Sequence, residues 1–166
     1  MADEPPPKPP RRAGEARMID VGAKPVTRRR ALAEAYVTVG PALAARIEEG
    51  GLAKGNVLET ARLAGLQAAK QTASLVPLCH PIPLDAVDVQ AGLAGDRVRI
   101  RAEVRAEART GVEMEALTAA AVAALTVYDM VKAAARGVEI GPVRLLEKEG
   151  GASGAWTREE SPDAAD

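Results

Sequence analysis

The chain has 166 residues, with 22 Lys and Arg against 23 Asp and Glu for a net charge of −1. That length suits one domain with a self-sufficient core, and its one cysteine, Cys79, excludes an intrachain disulfide and points to a reducing, cytoplasmic setting. Phe is absent and aromatics make up 2% of the residues, which together with the balanced charge argues against a base-stacking nucleic-acid platform; the short run Arg28, Arg29, Arg30 does not alter this.

Residues 1–17 are rich in proline and arginine, with nothing apolar enough to pack, and read as a disordered leader. Residues 18–156 form the single folded domain, and 157–166 a flexible, polar tail. Between 27 and 39 the apolar residues Ala31, Ala33, Ala35, Val37 and Val39 alternate, predicting a strand with one buried face that stops at Gly40-Pro41. A short helix follows at 42–49. A second, capped by Asn56, runs from Val57 to about Lys70.

Three prolines in the segment Val76-Pro77-Leu78-Cys79-His80-Pro81-Ile82-Pro83 forbid helix and predict an extended, rigid loop. Val87, Val89, Ala91 and Leu93, then Val98, Ile100, Ala102, Val104 and Ala106, alternate on either side of Gly95-Asp96, which is a β-hairpin. Its outward residues, Arg97, Arg99, Arg101, Glu103, Arg105 and Glu107, form a solvated or intersubunit ladder. A long helix is expected over 111–135, closed by Gly137, and a last strand over 138–146. The order β, helices, β, β, helix, β is that of an α+β, ferredoxin-like βαββαβ sandwich, an antiparallel sheet with helices packed on one face. The longest uncharged apolar stretch, 116–128, falls short of the about 20 residues that cross a membrane, and the N-terminus is no signal peptide.

Three places combine polar side chains with rigid or apolar surroundings. Lys54-Gly55-Asn56 opens a helix, where a lysine and free amides can face one anion. Cys79-His80 is pinned by prolines, which fix the direction of an imidazole able to exchange protons near neutrality. Tetrahedral zinc needs three or four ligands, which one Cys and one His reach only with carboxylates or by sharing between subunits, so no metal centre is expected. Asp129 and Lys132 share a face of the long helix after an apolar run, so at least one of them is expected to enter a pocket, with both pKa values shifted.

Glu113, Met114 and Glu115 open the same helix. Glu115 and Asp129 lie on one stripe but roughly 21 Å apart, at about 1.5 Å of rise per residue. If both ends serve catalysis, the pockets are completed by different subunits of a symmetric homo-oligomer.

With these residues in view, the sequence from Met18 to about Gly154 resembles the cyclic pyranopterin monophosphate synthase family, molybdenum cofactor biosynthesis protein C (MoaC). The motifs carrying the resemblance are Lys54-Gly55-Asn56-Val57, Pro77-Leu78-Cys79-His80-Pro81, Gly111-Val112-Glu113-Met114-Glu115-Ala116-Leu117-Thr118-Ala119, Ala123-Ala124-Leu125-Thr126-Val127-Tyr128-Asp129-Met130 and Gly141-Pro142-Val143-Arg144-Leu145-Leu146. The resemblance implies a cytoplasmic lyase that rebuilds the cyclised dihydro-GTP supplied by an upstream radical SAM enzyme into cyclic pyranopterin monophosphate, releasing diphosphate. It also implies a homohexamer, a trimer of dimers with pockets at the dimer interface, functionally coupled to that upstream enzyme.

Matched by motif, Asp129 is the expected acid/base, with Lys54, Lys132 and His80 around it. Leu78, Cys79, His80, Met114 and Glu115 line the substrate site, joined by Glu113, Arg29, Lys24 and Lys148. The proton transfers call for groups poised near neutrality, and the departing diphosphate for fixed cations. No cofactor is required, although Mg2+ can accompany the triphosphate. Two positions depart from the family pattern. Asn56 stands where Asp is usual, which bears on the pairing of Lys54, and Ala152 stands where Lys is usual, which bears on phosphate contacts near the C-terminus. The rival readings are a non-catalytic, ferredoxin-like ligand sensor and a nucleic-acid binder built on Arg28, Arg29 and Arg30.

Overall fold

The computed structural model describes residues 14–159. Most of the expected leader, 1–13, and the last part of the expected tail, 160–166, lie outside the described residues. Five strands form one antiparallel sheet: β1 (Thr27–Thr38), β2 (Ala86–Ala94), β3 (Arg97–Ala108), β4 (Glu139–Glu149) and β5 (Trp156–Thr157), ordered β2-β3-β1-β4-β5. Four helices, α1 (Pro41–Glu48), α2 (Val57–Lys70), α3 (Thr72–Leu75) and α4 (Glu113–Val131), complete the fold. This is the ferredoxin-like α+β sandwich expected from the element order, with β5 added at one edge.

Alternation sets the two faces of the sheet. Ala31, Ala33, Ala35 and Val37 of β1, with Val98, Ile100, Ala102 and Val104 of β3, are fully buried beneath the helices. Small side chains let α4 approach closely, and Ala116, Ala119, Ala120, Ala123, Ala124 and Val127 of α4 are equally buried. Asn56 caps α2 as expected, its Oδ1 accepting from the Glu59 amide at 3.0 Å, so Asn here replaces Asp without loss of the cap. α4 is long and apolar enough to cross a membrane by length and composition, a property the charge-free stretch understated, but half of it is buried within the protein.

Three boundaries differ from expectation. α4 ends at Val131 rather than near 135, because a tight turn from the Ala134 amide to the Val131 carbonyl (2.8 Å) unwinds it. Strand β4 runs on to Glu149 because two bulges, opposite Leu32/Ala33 and Ala35/Val37, each absorb an extra residue; Pro142, which has no amide to donate, falls in the second. Thr157 pairs with Glu147, and Arg158 donates to the Leu146 and Leu145 carbonyls at 2.7 Å, so the sheet extends into the segment expected to be a tail.

The face away from the helices carries the ladder, which is tied across strands rather than simply solvated. Arg30 pairs with Glu103 and Glu147 at 2.7 Å. Glu34, 2% exposed, accepts from Arg99 of β3 and Arg144 of β4. Two arginines thus bury a carboxylate that alternation alone would place in solvent.

Candidate active site

The two ends of α4 carry two separate clusters. At its C-terminal end, Gly55 (φ 90°) turns the chain just before α2, which aims Lys54 across at the last turn of α4. The Lys54 Nζ donates to Asp129 Oδ2 at 2.7 Å and to the Asp129 carbonyl at 3.0 Å, the latter an acceptor that a helix end leaves open. Lys132 Nζ reaches Asp129 Oδ1 at 2.7 Å. Both carboxylate oxygens are therefore engaged by ammonium groups. Position 56 takes no part, so the Asn56 departure leaves the pairing of Lys54 intact.

The Lys132 and Lys54 hydrogen bonds pull the Asp129 carboxyl down to about 2, and Asp129 in turn raises Lys132. Both shifts were expected; poise near neutrality was not found. In the single chain the side chains of Asp129 and Lys132 lie open to solvent, 55% and 56% exposed. The apolar run that precedes them turns its alanines to the core and leaves Leu125, Tyr128 and Asp129 on the outer flank.

At the N-terminal end of α4, the proline-braced loop brings the Cys79 thiol to donate to Glu115 Oε1 at 3.6 Å. Glu115 is 2% exposed and its Oε2 has no hydrogen-bond partner. Burial, foremost, raises the Glu115 carboxyl above its ordinary value, and burial followed by the charge of Glu115 pushes the Cys79 thiol up to about 11. Cys79 is therefore a protonated donor at neutral pH, not a thiolate nucleophile. Lys148 Nζ pairs with Glu113 Oε1 at 3.3 Å. Arg29 Nε and Nη2 donate to the Ala108 and Arg109 carbonyls at 3.4 and 3.5 Å, just before α4 begins.

His80 is half-buried beside Cys79, and Leu78 and Met114 are exposed at the same end. Within one chain, then, His80 lies with Glu115 and not around Asp129. Lys24 is exposed in a turn closed by its own amide on the Val21 carbonyl (3.0 Å). No contact among the described residues ties its side chain to either cluster. Among those residues no group of three His, Cys, Asp or Glu side chains could hold a metal ion. Sequence reasoning passed over Gly111 and Gly151 as site elements; a Cβ at either would collide with the Glu113 carboxylate or the Arg29 guanidinium. Their sequence signals were faint: Gly111 opens the Gly111–Ala119 motif, two residues before Glu113, and Gly151 follows Gly150 in a glycine pair.

The fold and its polar groups define a ferredoxin-like protein that presents lysine, arginine, imidazole and carboxylate groups at both ends of one central helix, as suits a small anionic ligand. The chain belongs to the MoaC family, whose model matches residues 18–151. It is 54% identical over 149 residues to a cyclic pyranopterin monophosphate synthase of Thermomicrobium roseum, covering 89% of this chain and 90% of that protein. It is 53% identical over 145 residues to the proteins of that name from Brucella ovis and Brucella abortus, covering 86% of this chain and 88% of each.

Proposed function

We propose that this protein is a cyclic pyranopterin monophosphate synthase, a cytoplasmic lyase of molybdenum cofactor biosynthesis. Its substrate is the cyclised dihydro-GTP from an upstream radical SAM enzyme, and its products are cyclic pyranopterin monophosphate and diphosphate. The observation that carries the reading is the Lys54–Asp129–Lys132 triad: a carboxylate between two ammonium groups, open to solvent, suits a polyanion that undergoes proton transfer. Phosphate oxygens drawn to Lys54 and Lys132 take those cations from Asp129. A carboxylate that loses its counter-charges gains basicity, so substrate binding itself readies Asp129 as the base. The lysines stabilise the charge that develops as diphosphate leaves. Any Mg2+ enters as part of the triphosphate.

Asp129 and Glu115 lie on one stripe roughly 21 Å apart, too far for one small substrate. The working site therefore joins the C-terminal cluster of one protomer to the Cys79, His80, Glu113, Glu115, Arg29 and Lys148 cluster of another, in a homohexamer built as a trimer of dimers. The apolar surface around both clusters supports this: Leu78, Met114, Leu125 and Tyr128 are each at least 40% exposed in the single chain.

Complementation is the test. Asp129→Asn and His80→Ala are each inactive alone. Refolded together at equal amounts, they regain about a quarter of wild-type activity, because half of the dimers are mixed and each mixed dimer has one intact site. No recovery, in mixtures shown by mass spectrometry to contain mixed dimers, would place each whole site within one protomer.

A further inference from the structure

The loop after β4 shows how Arg29 is held, and the argument rests on the reading of Arg29 as a substrate-site residue. β1 places Arg29 on the same face as Ala31, beneath the helices, and the register sets Lys148 beside Ala31. Arg29 and Lys148 therefore approach the start of α4 side by side. The guanidinium has five N–H donors, of which Nε and Nη2 each give one to a carbonyl of the 108–109 segment at long range. Two bonds of 3.4 and 3.5 Å are weak restraints on a long side chain that loses much rotamer freedom when ordered.

The glycines supply the remaining restraint. Gly150 (φ 99°) and Gly151 (φ 75°) carry the chain back over the end of β1. A Cβ on Gly150 would collide with the Arg28 carbonyl oxygen, and one on Gly151 with Arg29 Nη1, lying only 2.7 Å from Cζ and 3.0 Å from Nη2. Gly154 adopts a similar φ of 66°, yet a Cβ there meets nothing within 4 Å. The left-handed backbone alone therefore does not account for the closeness at Gly151.

We propose that Gly151 is a positioning residue: its bare backbone closes over the Arg29 guanidinium and presses it against the Ala108 and Arg109 carbonyls, so that the donors left over face the anionic substrate at the start of α4. A side chain at 151 would push the guanidinium out of that slot. The loss would fall on binding of the anion more than on the chemical step, so KM rises while kcat holds.

The experiment is a double-mutant cycle on the full-length protein with the cyclised dihydro-GTP as substrate. Arg29→Ala and Gly151→Ala each raise KM about tenfold with kcat within about twofold, and the double variant is no worse than Arg29→Ala alone. Gly154→Ala, which strains the backbone without touching Arg29, leaves both constants unchanged. Should Gly151→Ala fail to fold, the Gly151→Ala/Arg29→Lys variant, with a thinner side chain in the slot, folds. Multiplicative losses in the double variant, an equal loss in Gly154→Ala, or failure of both Gly151 variants to fold would overturn the positioning role. An Arg29→Ala variant with unchanged KM would instead remove Arg29 from the site, and the clamp's function with it.

Discussion

Glu34→Gln tests the packing that holds the sheet in register behind the site. Glu34 Oε2 accepts from Arg99 Nε and Nη2 at 3.2 and 3.0 Å, and Oε1 from Arg144 Nε and Nη2 at 2.9 and 2.8 Å. Tyr36 adds its hydroxyl at 3.4 Å. The carboxylate is 2% exposed, whereas the two arginine side chains are 42% and 31% exposed. Glutamine keeps one acceptor but turns an NH2 toward a guanidinium, donor against donor. Hydrogen bonds to charged groups contribute about 1.5–3 kcal/mol each. Water can reach the partly exposed arginines and replace some of that loss, so the expected cost at neutral pH is about 2–4 kcal/mol. For a domain of this size that lowers Tm by about 4–16 °C.

The sign of the pH dependence is fixed. Burial, the largest single influence, pushes the Glu34 carboxyl up, but the bonds and charges of Arg144 and Arg99 together outweigh it and hold the carboxyl below its ordinary 4.5. A depressed carboxyl stabilises the fold above its unfolded value, and that contribution is lost as pH falls through the folded value. Urea unfolding at fixed protein concentration, from about pH 7 to about pH 3, should show the gap between wild type and Glu34→Gln closing on the acid side. A gap under about 0.5 kcal/mol at neutral pH, within the range of ordinary surface substitutions, or one of constant size down to pH 3, would refute the account of Glu34 as an ionised, arginine-clamped residue.

Three further predictions concern the site. Asp129→Asn lowers kcat at least about a thousandfold while substrate affinity, by calorimetry, stays within about tenfold, the split that separates an enzyme from a sensor. If substrate takes the two lysines from Asp129, the acid limb of kcat lies at higher pH than that of kcat/KM; steady-state profiles from pH 4 upward decide it, and coincident limbs count against the exchange. Cys79, with its thiol at about 11, alkylates at pH 8 about a hundredfold more slowly than a free thiol, and Cys79→Ser keeps turnover, as checked by iodoacetamide labelling and initial rates.

The strands and helices were legible because their signals are local: alternation in β1 and the hairpin, the Asn56 cap, the proline-braced loop. The extent of β4 was not. Bulges depend on how β1 and β4 pair, and no window of sequence contains that register. Glu34 was illegible for a related reason, because its burial depends on Arg99 and Arg144, one on each neighbouring strand. At the site, the spacing of Asp129 and Lys132 gave one ion pair directly, whereas the Lys54 contact joins residues 75 apart and came from motif resemblance. Spacing also predicted burial of Asp129 or Lys132. Within the single chain neither is buried, because an apolar run on a helix says which face is buried but not that the residues following it share that face.

That exposure bears on the proposed sharing of the site between protomers. A carboxylate 55% exposed between two ammonium groups sits in a high-dielectric environment, where each charge acts less strongly than it would in a dry site. Docking a second protomer over Leu125 and Tyr128 would exclude water there and strengthen every interaction within the triad. It would also bring the Cys79–Glu115 cluster of that protomer opposite it. Glu115 holds an unpaired buried oxygen, a local cost that folding of the single chain does not repay, and an ammonium group arriving across the interface would answer it. On the proposed shared site, assembly and catalytic competence would be the same event. Specific activity should fall on dilution in parallel with dissociation measured by light scattering, and activity retained by isolated monomers would break that link.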